Sequence, residues 1–106
     1  MTLDDLAGQL RGDLAGVVVS EKKMFGGICF LLNGNMVSGT MKAAALFRVG
    51  KDQDRAALAL AGTRPMLQGG KAMAGFVELP RAACGDERRA TLSAMALAFV
   101  QGLPAK

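Results

Sequence analysis

The side chains that carry most enzymatic chemistry are scarce in this sequence. The chain has no histidine, so it offers no Ser-His-Asp or Cys-His nucleophile pair, no imidazole base and no histidine-based metal site. It has neither a G-x-x-x-x-G-K-[ST] phosphate loop nor a G-x-G-x-x-G run. Most acidic residues fall at the starts of predicted helices, where carboxylates favour the backbone N–H groups: Asp4, Asp5, Asp52, Asp54, Asp86 and Glu87. The sequence therefore predicts a protein without enzymatic activity, cofactor or metal.

The two cysteines are far apart and differ in their surroundings. Cys29 lies in an apolar run, whereas Cys84 lies in a segment that reads as a polar loop. They form no C-x-x-C pair, and no histidine is present to complete a metal site. Both are predicted to be reduced thiols in a cytoplasmic protein. A redox-active Cys84 is the alternative, and it would require a lowered thiol pKa.

Positive charge is concentrated in the segments predicted to form strands and their loops. Residues 14–51 carry five basic side chains against one acidic, and residues 62–81 carry three against one. This surplus suits an acidic protein partner, a phosphate or nucleic acid, and a net charge of +4 equally suits plain solubility. Few side chains could stack on nucleic-acid bases, because the chain lacks Trp and Tyr. Four of its phenylalanines fall in core-like patterns: Phe30, Phe47, Phe76 and Phe99.

Two pairs of adjacent glycines could present backbone N–H groups to an anion, although a sharp bend is the simpler interpretation. They are Gly26-Gly27 and Gly69-Gly70. Phe25, just before the first pair, is predicted to plug the end of the sheet against the last helix, near Phe99 or Met95. The candidate binding residues are the basic strand residues together with this corner: Lys23, Met24, Phe25, Gly26, Gly27, Arg48, Arg64 and Lys71.

The elements that would position these residues centre on a hairpin. Asn33-Gly34 separates two apolar runs and suits a two-residue type I′ turn, which needs positive φ at both positions. The run Ile28–Leu32 is apolar at every position, as expected of a strand covered on both faces. In the strand that follows, period-two alternation places Ala45, Phe47 and Val49 on one face and Arg48 on the other.

Helical patterns flank this hairpin and recur between the strands. Leucines at three-to-four spacing predict a first helix that ends near Gly16, and Val17–Val19 then predicts a short strand that leads to Lys22 and Lys23. A second helix is predicted over 52–62. Residues 63–74 read as a loop or loose hairpin with a brief edge strand at 66–68, and 75–79 as a strand closed by Pro80. From Asp86 an apolar stripe predicts the last helix.

The predicted architecture is a two-layer α+β fold. Its mostly antiparallel sheet carries helices in the order α-β(3)-α-β(2)-α, with a possible extra strand at 17–23. A chain of 106 residues that is 51% hydrophobic supports one core, so residues 1–106 are expected to form a single domain. No apolar run approaches the roughly 20 residues needed to cross a bilayer. The expectation is a soluble, cytoplasmic protein, and a free edge strand is compatible with a homodimer.

Four pieces of sequence in fixed order resemble the N-terminal domain of the TfoX family of competence regulators. The similarity covers the chain from about Val19 onward. The pieces are Lys23-Met24-Phe25-Gly26-Gly27, the Asn33-Gly34 hairpin with Met36 and Gly39, Leu46-Phe47-Arg48-Val49, and Met73-Ala74-Gly75-Phe76-Val77-Glu78-Leu79-Pro80. Tyrosines that are common in this family near the third and last strands are replaced by Phe47 and Phe76.

This resemblance implies a small, cytoplasmic, bacterial α+β domain without known enzymatic activity. Named family members act in transcriptional control of DNA-uptake competence, and longer members carry a second, helical domain, which is not expected in this sequence. The function expected from the resemblance is a regulatory module that acts through protein–protein contacts. The alternatives are direct nucleic-acid binding through the basic strands and loops, and binding of a small ligand or anion at the Met24–Gly27 corner.

Overall fold

Helices and strands alternate along the chain in the predicted order. A computed structural model describes residues 3–24, 26–41, 44–60, 62–84 and 86–105. The elements within them are α1 (Leu3–Asp13), β1 (Ser20–Met24), β2 (Gly27–Leu32), β3 (Asn35–Thr40), β4 (Ala44–Arg48), α2 (Asp54–Leu58), β5 (Arg64–Gln68), β6 (Lys71–Pro80), a 3₁₀ turn (Arg81–Ala83) and α3 (Asp86–Gln101). The α+β prediction is confirmed. None of the described helices is both long and apolar enough to cross a membrane.

The described strands form one open antiparallel sheet. Their order across the sheet is β1-β2-β3-β4-β6-β5, so β1 and β5 are its two edges. The extra strand expected at 17–23 is present as β1, but it begins at Ser20 rather than at Val17. Val17 and Val19 instead pack against the core, while Val18 between them is 92% exposed.

The central hairpin is the turn that the sequence predicts. Asn33 has φ 54° and Gly34 has φ 82°, and Leu32 pairs with Asn35 across the turn. Positive φ at both turn residues is the condition for a type I′ turn, which matches the right-handed twist of the flanking strands. The pairing of β2 with β3 shifts register between Phe30 and Leu31, which places an irregularity in the middle of the hairpin.

Helices α1 and α3 cover one face of the sheet and enclose the core. The alternation predicted for β4 is confirmed, because Ala45, Phe47 and Val49 belong to the core cluster, whereas Arg48 is half-buried. Both helices pack on β3 and on each other. The largest fully buried side chains of this core are Phe30, Phe47, Leu6, Leu10, Leu14, Leu79, Leu92, Val37, Val49, Val77 and Val100.

A buried polar network, here called the α1–α3 clamp, joins the two helices through Gln9, Asp13, Arg89 and Ser93. The Arg89 guanidinium donates to both carboxylate oxygens of Asp13, at 2.8 and 3.1 Å, and to Gln9 Oε1 at 3.2 Å. Ser93 Oγ donates to Asp13 Oδ2 at 3.0 Å. Arg89 is only 6% exposed. The Asp13 carboxylate compensates its buried charge by accepting two hydrogen bonds from the guanidinium.

Three local predictions differ from the structure. Helix α2 has five residues and is much shorter than the predicted 52–62 segment, and Asp54 in its first turn accepts a hydrogen bond from the Gly75 N–H at 3.4 Å. The last strand starts at Lys71 rather than at Gly75, so residues 64–80 form a well-paired hairpin. Cys84 is buried against the core, where its thiol donates to the Pro80 carbonyl at 3.4 Å.

Candidate functional site

The predicted binding residues lie on different parts of the sheet. Lys23 and Met24 belong to the edge strand β1, Gly26 lies between β1 and β2, and Gly27 is the first residue of β2. Arg48 ends the interior strand β4, whereas Arg64 and Lys71 lie on the hairpin at the opposite edge. Phe25 falls outside the described residues, as does any contact it makes with the last helix. The structure therefore does not gather these residues into one surface.

Packing explains one of the two glycines at the Met24–Gly27 corner. A Cβ atom on Gly27 would overlap the backbone and side chain of Thr40. The Thr40 hydroxyl accepts the Ile28 N–H at 2.9 Å. Close approach of β2 to the end of β3 is what requires this glycine.

Arg64 and Lys71 share a hairpin but differ in their electrostatic state. Arg64 Nε donates to Glu78 Oε1 at 2.6 Å across the β5–β6 pair, so its charge is neutralised locally. Lys71 follows the Gly69-Gly70 turn and is exposed. Among the described residues, Arg64 is thus paired with a carboxylate, whereas Lys71 forms no ion pair.

Arg48 is held by aromatic rings. Its guanidinium carbon lies 5.7 Å from the ring centroid of Phe76, its partner on β6, and 5.6 Å from that of Phe99 on α3. Both distances are within the range of cation–π attraction. Among the residues that the structure describes, Arg48 forms no ion pair with a carboxylate. The position of its charge is therefore set by two apolar neighbours, Phe76 and Phe99.

A pocket of about 330 Å³ opens beside this guanidinium, and we call it the Arg48 pocket. Its floor forms where β4 ends, because the N–H groups of Val49 and Gly50 both donate to the Gly75 carbonyl, at 2.9 and 3.0 Å. Two donors that share one acceptor mark a bulge, which bends the chain away from β6. The lining residues are Arg48, Gly50, Lys51, Asp52, Ala74, Gly75, Phe76 and Phe99.

Sequence reasoning found Arg48 but missed its surroundings. Phe76 and Phe99 were expected in the core, as Phe30 and Phe47 are, yet both are half-buried and line the pocket. The available signal was the alternation that turns Arg48 away from the core face of β4. Finding Phe76 beside it also requires the register that pairs Arg48 with Phe76, which a single sequence does not give.

The β1 edge is the second exposed feature that carries predicted residues. Glu21 accepts two hydrogen bonds from the Arg11 guanidinium, at 2.6 and 2.8 Å, and these bonds lower the pKa of Glu21. Its charge is therefore matched within the domain. The neighbouring Lys22 and Lys23 are exposed, and Val18 precedes them in the chain. This segment thus combines a free strand edge, two cations and an exposed apolar side chain.

The two thiols are buried and reduced. Cys29 and Cys84 are free cysteines, and burial raises the pKa of each above its ordinary value. The nearby guanidinium groups of Arg89 and Arg88 oppose this rise at Cys84 without reversing it. A buried thiol with a raised pKa is a poor nucleophile, so these observations disfavour the redox alternative for Cys84.

Comparison with known proteins places the chain in a family. The sequence model of the TfoX N-terminal domain matches residues 14–99. The chain belongs to the TfoX N-terminal domain family. No curated protein and no solved structure matches it.

The TfoX match spans all six strands of the sheet and most of α3. It includes the β1 edge and every lining residue of the Arg48 pocket. It also includes Asp13's partners Arg89 and Ser93, although Asp13 itself and the rest of α1 lie before the matched segment. Both candidate surfaces therefore lie on the part of the chain that defines its family.

Proposed function

We propose that this TfoX N-terminal domain is a non-enzymatic regulatory module of the bacterial cytoplasm that acts by docking on another protein. Its role would resemble that of the family's competence regulators in transcriptional control. The observation that carries the proposal is the free edge of β1. The occupant proposed for it is an extended acidic segment of the partner, added to the sheet as a further antiparallel or parallel strand.

The two edges of the sheet are not equivalent as docking sites. Strand β5 contains Pro65, which has no N–H to donate and occurs mainly where a strand is not extended further. Strand β1, Ser20–Met24, contains no proline and pairs only with β2 in the described sheet. A partner strand added along β1 would therefore meet no proline, whereas one added along β5 would meet Pro65.

The side chains of β1 indicate the chemistry of that partner. Glu21 pairs with Arg11, and among the described residues Lys22 and Lys23 form no ion pair with a carboxylate. Val18 offers an apolar contact that is 92% exposed. Acidic side chains opposite the lysines and one apolar side chain near Val18 would complement this edge. Lysines also protect free edges from unwanted pairing, so the experiment must separate docking from protection.

The direct test is capture of a partner from a bacterial lysate with the wild-type domain and two variants. The Lys22→Glu/Lys23→Glu double variant should lose a partner that the wild type enriches, because two acidic groups would face an acidic segment. Arg55→Glu is a control for charge reversal at a single exposed site, since Arg55 lies on α2 away from β1. A partner lost equally from both variants, or from neither, would contradict docking at β1. Sedimentation of the purified domain reports whether a second copy occupies the edge instead.

Nucleic-acid binding is the second candidate, and the distribution of charge disfavours it. Lys23 and Lys71 lie toward opposite edges of the sheet, and Arg64 is neutralised by Glu78. Titration with duplex and single-stranded DNA at several salt concentrations tests this alternative. Affinity that persists near physiological salt and falls steeply as salt rises would establish phosphate contacts and replace the docking proposal. Weak association at low salt alone would leave docking as the better account.

A further inference from the structure

The Arg48 pocket has the features of a ligand site that the docking proposal does not use. It lies where β4 and β6 meet α3, whereas docking is proposed at β1, on the other side of β2 and β3. Its volume of about 330 Å³ is at the lower end of the range typical of small-molecule sites. The two surfaces are separate, so each can fail without the other.

The polar lining of the pocket is predominantly cationic. Arg48 and Lys51 contribute two positive charges and Asp52 one negative charge. A guanidinium carries five N–H donors arranged in a plane that matches a carboxylate at two points. Among the described residues, no carboxylate occupies that position on Arg48. An external carboxylate would supply the missing acceptor.

The rest of the lining is apolar and fixes the size of the ligand. Phe76 and Phe99 flank the guanidinium, and Ala74 leaves open space between β6 and the chain after β4. Rings that hold a guanidinium also restrict its motion, which reduces the entropy lost when a ligand binds. We propose that the Arg48 pocket binds a small carboxylate on an apolar body, with Arg48 as the two-point donor and Phe76 and Phe99 as the walls.

Contacts that do not involve Arg48 also constrain the backbone around the pocket. Gly50 has φ +86°, and a Cβ atom there would overlap the Phe99 ring. Gln53 Nε2 donates to the Val49 carbonyl at 3.0 Å and to the Met95 carbonyl at 3.1 Å, which fastens the chain after β4 to α3. These contacts join the segment after β4 to α3 beside the pocket, and the pocket is present in the structure without a ligand.

Benzoate is the probe that tests this inference, since it carries a carboxylate directly on a ring. In an NMR titration, benzoate should shift the Gly50 and Gly75 amides and the Arg48 Nε–H signal along one saturable curve. Benzamide has the same shape without the charge, and it should bind at least about tenfold more weakly, because it loses the charge-assisted bonds. A tripeptide that ends in phenylalanine tests whether the carboxylate comes from a chain terminus, which tighter binding than benzoate would indicate.

Three variants decide whether the binding is at this pocket. Arg48→Gln should weaken benzoate binding about tenfold or more, while Arg55→Gln, an equal charge change at an exposed site on α2, should leave it within about twofold. Ala74→Leu fills the pocket without changing its charge and should also weaken binding, which keeps the test valid if Arg48→Gln is unstable. Equal binding of benzoate and benzamide, no saturable shift at the pocket, or unchanged affinity in Arg48→Gln and Ala74→Leu would overturn the proposal.

Discussion

Two arginines that lie near α3 are held in opposite ways. Arg89, in the α1–α3 clamp, is 6% exposed and makes hydrogen bonds to Asp13 and Gln9. Arg48, at the end of β4, is half-buried and rests against Phe76 and Phe99 with no carboxylate partner among the described residues. The first guanidinium donates to groups of the domain itself, whereas the second forms no ion pair with a carboxylate of the described residues.

This difference separates a side chain that stabilises the fold from one that is available for binding. A buried charge needs its partner, because removing one member leaves the other in a medium that solvates it poorly. Replacing a half-exposed arginine that rests on aromatic rings should lower the free energy of unfolding only slightly, since water already accepts hydrogen bonds from most of its donors. We therefore expect substitution of Arg89 to lower stability more than substitution of Arg48, and substitution of Arg48 to weaken benzoate binding more than substitution of Arg89.

The largest effect is expected from Arg89→Ala. The change leaves the Asp13 carboxylate, whose side chain is 11% exposed, without its cation, and it should lower the free energy of unfolding by about 3 to 5 kcal/mol. Urea denaturation followed by circular dichroism measures this loss. The Asp13→Leu/Arg89→Met double variant removes both charges and should recover much of the stability. Equal losses in the single and double variants would show that the ion pair is not the cause.

A smaller loss is expected from Gly50→Ala at the Arg48 pocket. The new Cβ atom would displace the Phe99 ring, and the positive φ disfavours any residue with a side chain, so unfolding should become easier by about 1 to 3 kcal/mol. Gly8→Ala on α1 is the control. No atom lies within 4 Å of its new Cβ, and alanine in a helix should add up to about 1 kcal/mol of stability. Matching losses at both positions would contradict the packing at Gly50.

Arg48→Gln is expected to change stability by only about 0.5 to 1 kcal/mol, the size of an exposed cation–π contact. The same denaturation experiment measures it. A loss as large as that of Arg89→Ala would show that Arg48 is a structural residue like its counterpart, and the contrast between the two would disappear.

The smallest effect concerns Cys84, which lies near the clamp. Its pKa is raised in the folded state by burial, so above the ordinary thiol pKa the unfolded chain loses a proton that the folded chain keeps. The free energy of unfolding should therefore fall as pH rises into the alkaline range, and less steeply in Cys84→Ala. Ellman's reagent at neutral pH should react slowly with the folded protein and rapidly after denaturation. Fast reaction with the folded protein would contradict the buried position.

The sequence alone predicted the features of the fold that depend on residues close together in the chain. The Asn33-Gly34 turn, the face alternation of β4 and the buried stripe of α3 at Leu92, Ala96 and Val100 are confirmed. Each follows from backbone preference or periodicity within a few residues. The pairing of β6 from Lys71 onward was not visible, because tertiary pairing overrides the tendency of Gly69, Gly70 and Gly75 to read as loop.

The surroundings of the candidate site depend on contacts between residues that are far apart in the chain. Lys23 and Lys71 appeared to share a basic region, but the strand order places them toward opposite edges. Phe76 and Phe99 appeared to be core residues, but the register of β4 with β6 brings Phe76 to Arg48, and the packing of α3 near the end of β4 brings Phe99 to it. Strand order and helix placement are set by the whole chain, so residue types indicated a cation without indicating its surroundings.

A hydrogen bond between the central hairpin and the segment that follows α3 affects how the newly made chain folds. Asn35 is 4% exposed, and its side-chain amide donates to the Pro104 carbonyl at 2.8 Å, 69 residues further along. The ribosome makes the hairpin long before it makes this acceptor, and an unmatched interior amide costs about 1 to 3 kcal/mol. The sheet can therefore reach its full stability only once Pro104 has left the ribosome. Chains truncated before Pro104 should therefore be degraded by proteases faster than the chain that contains it.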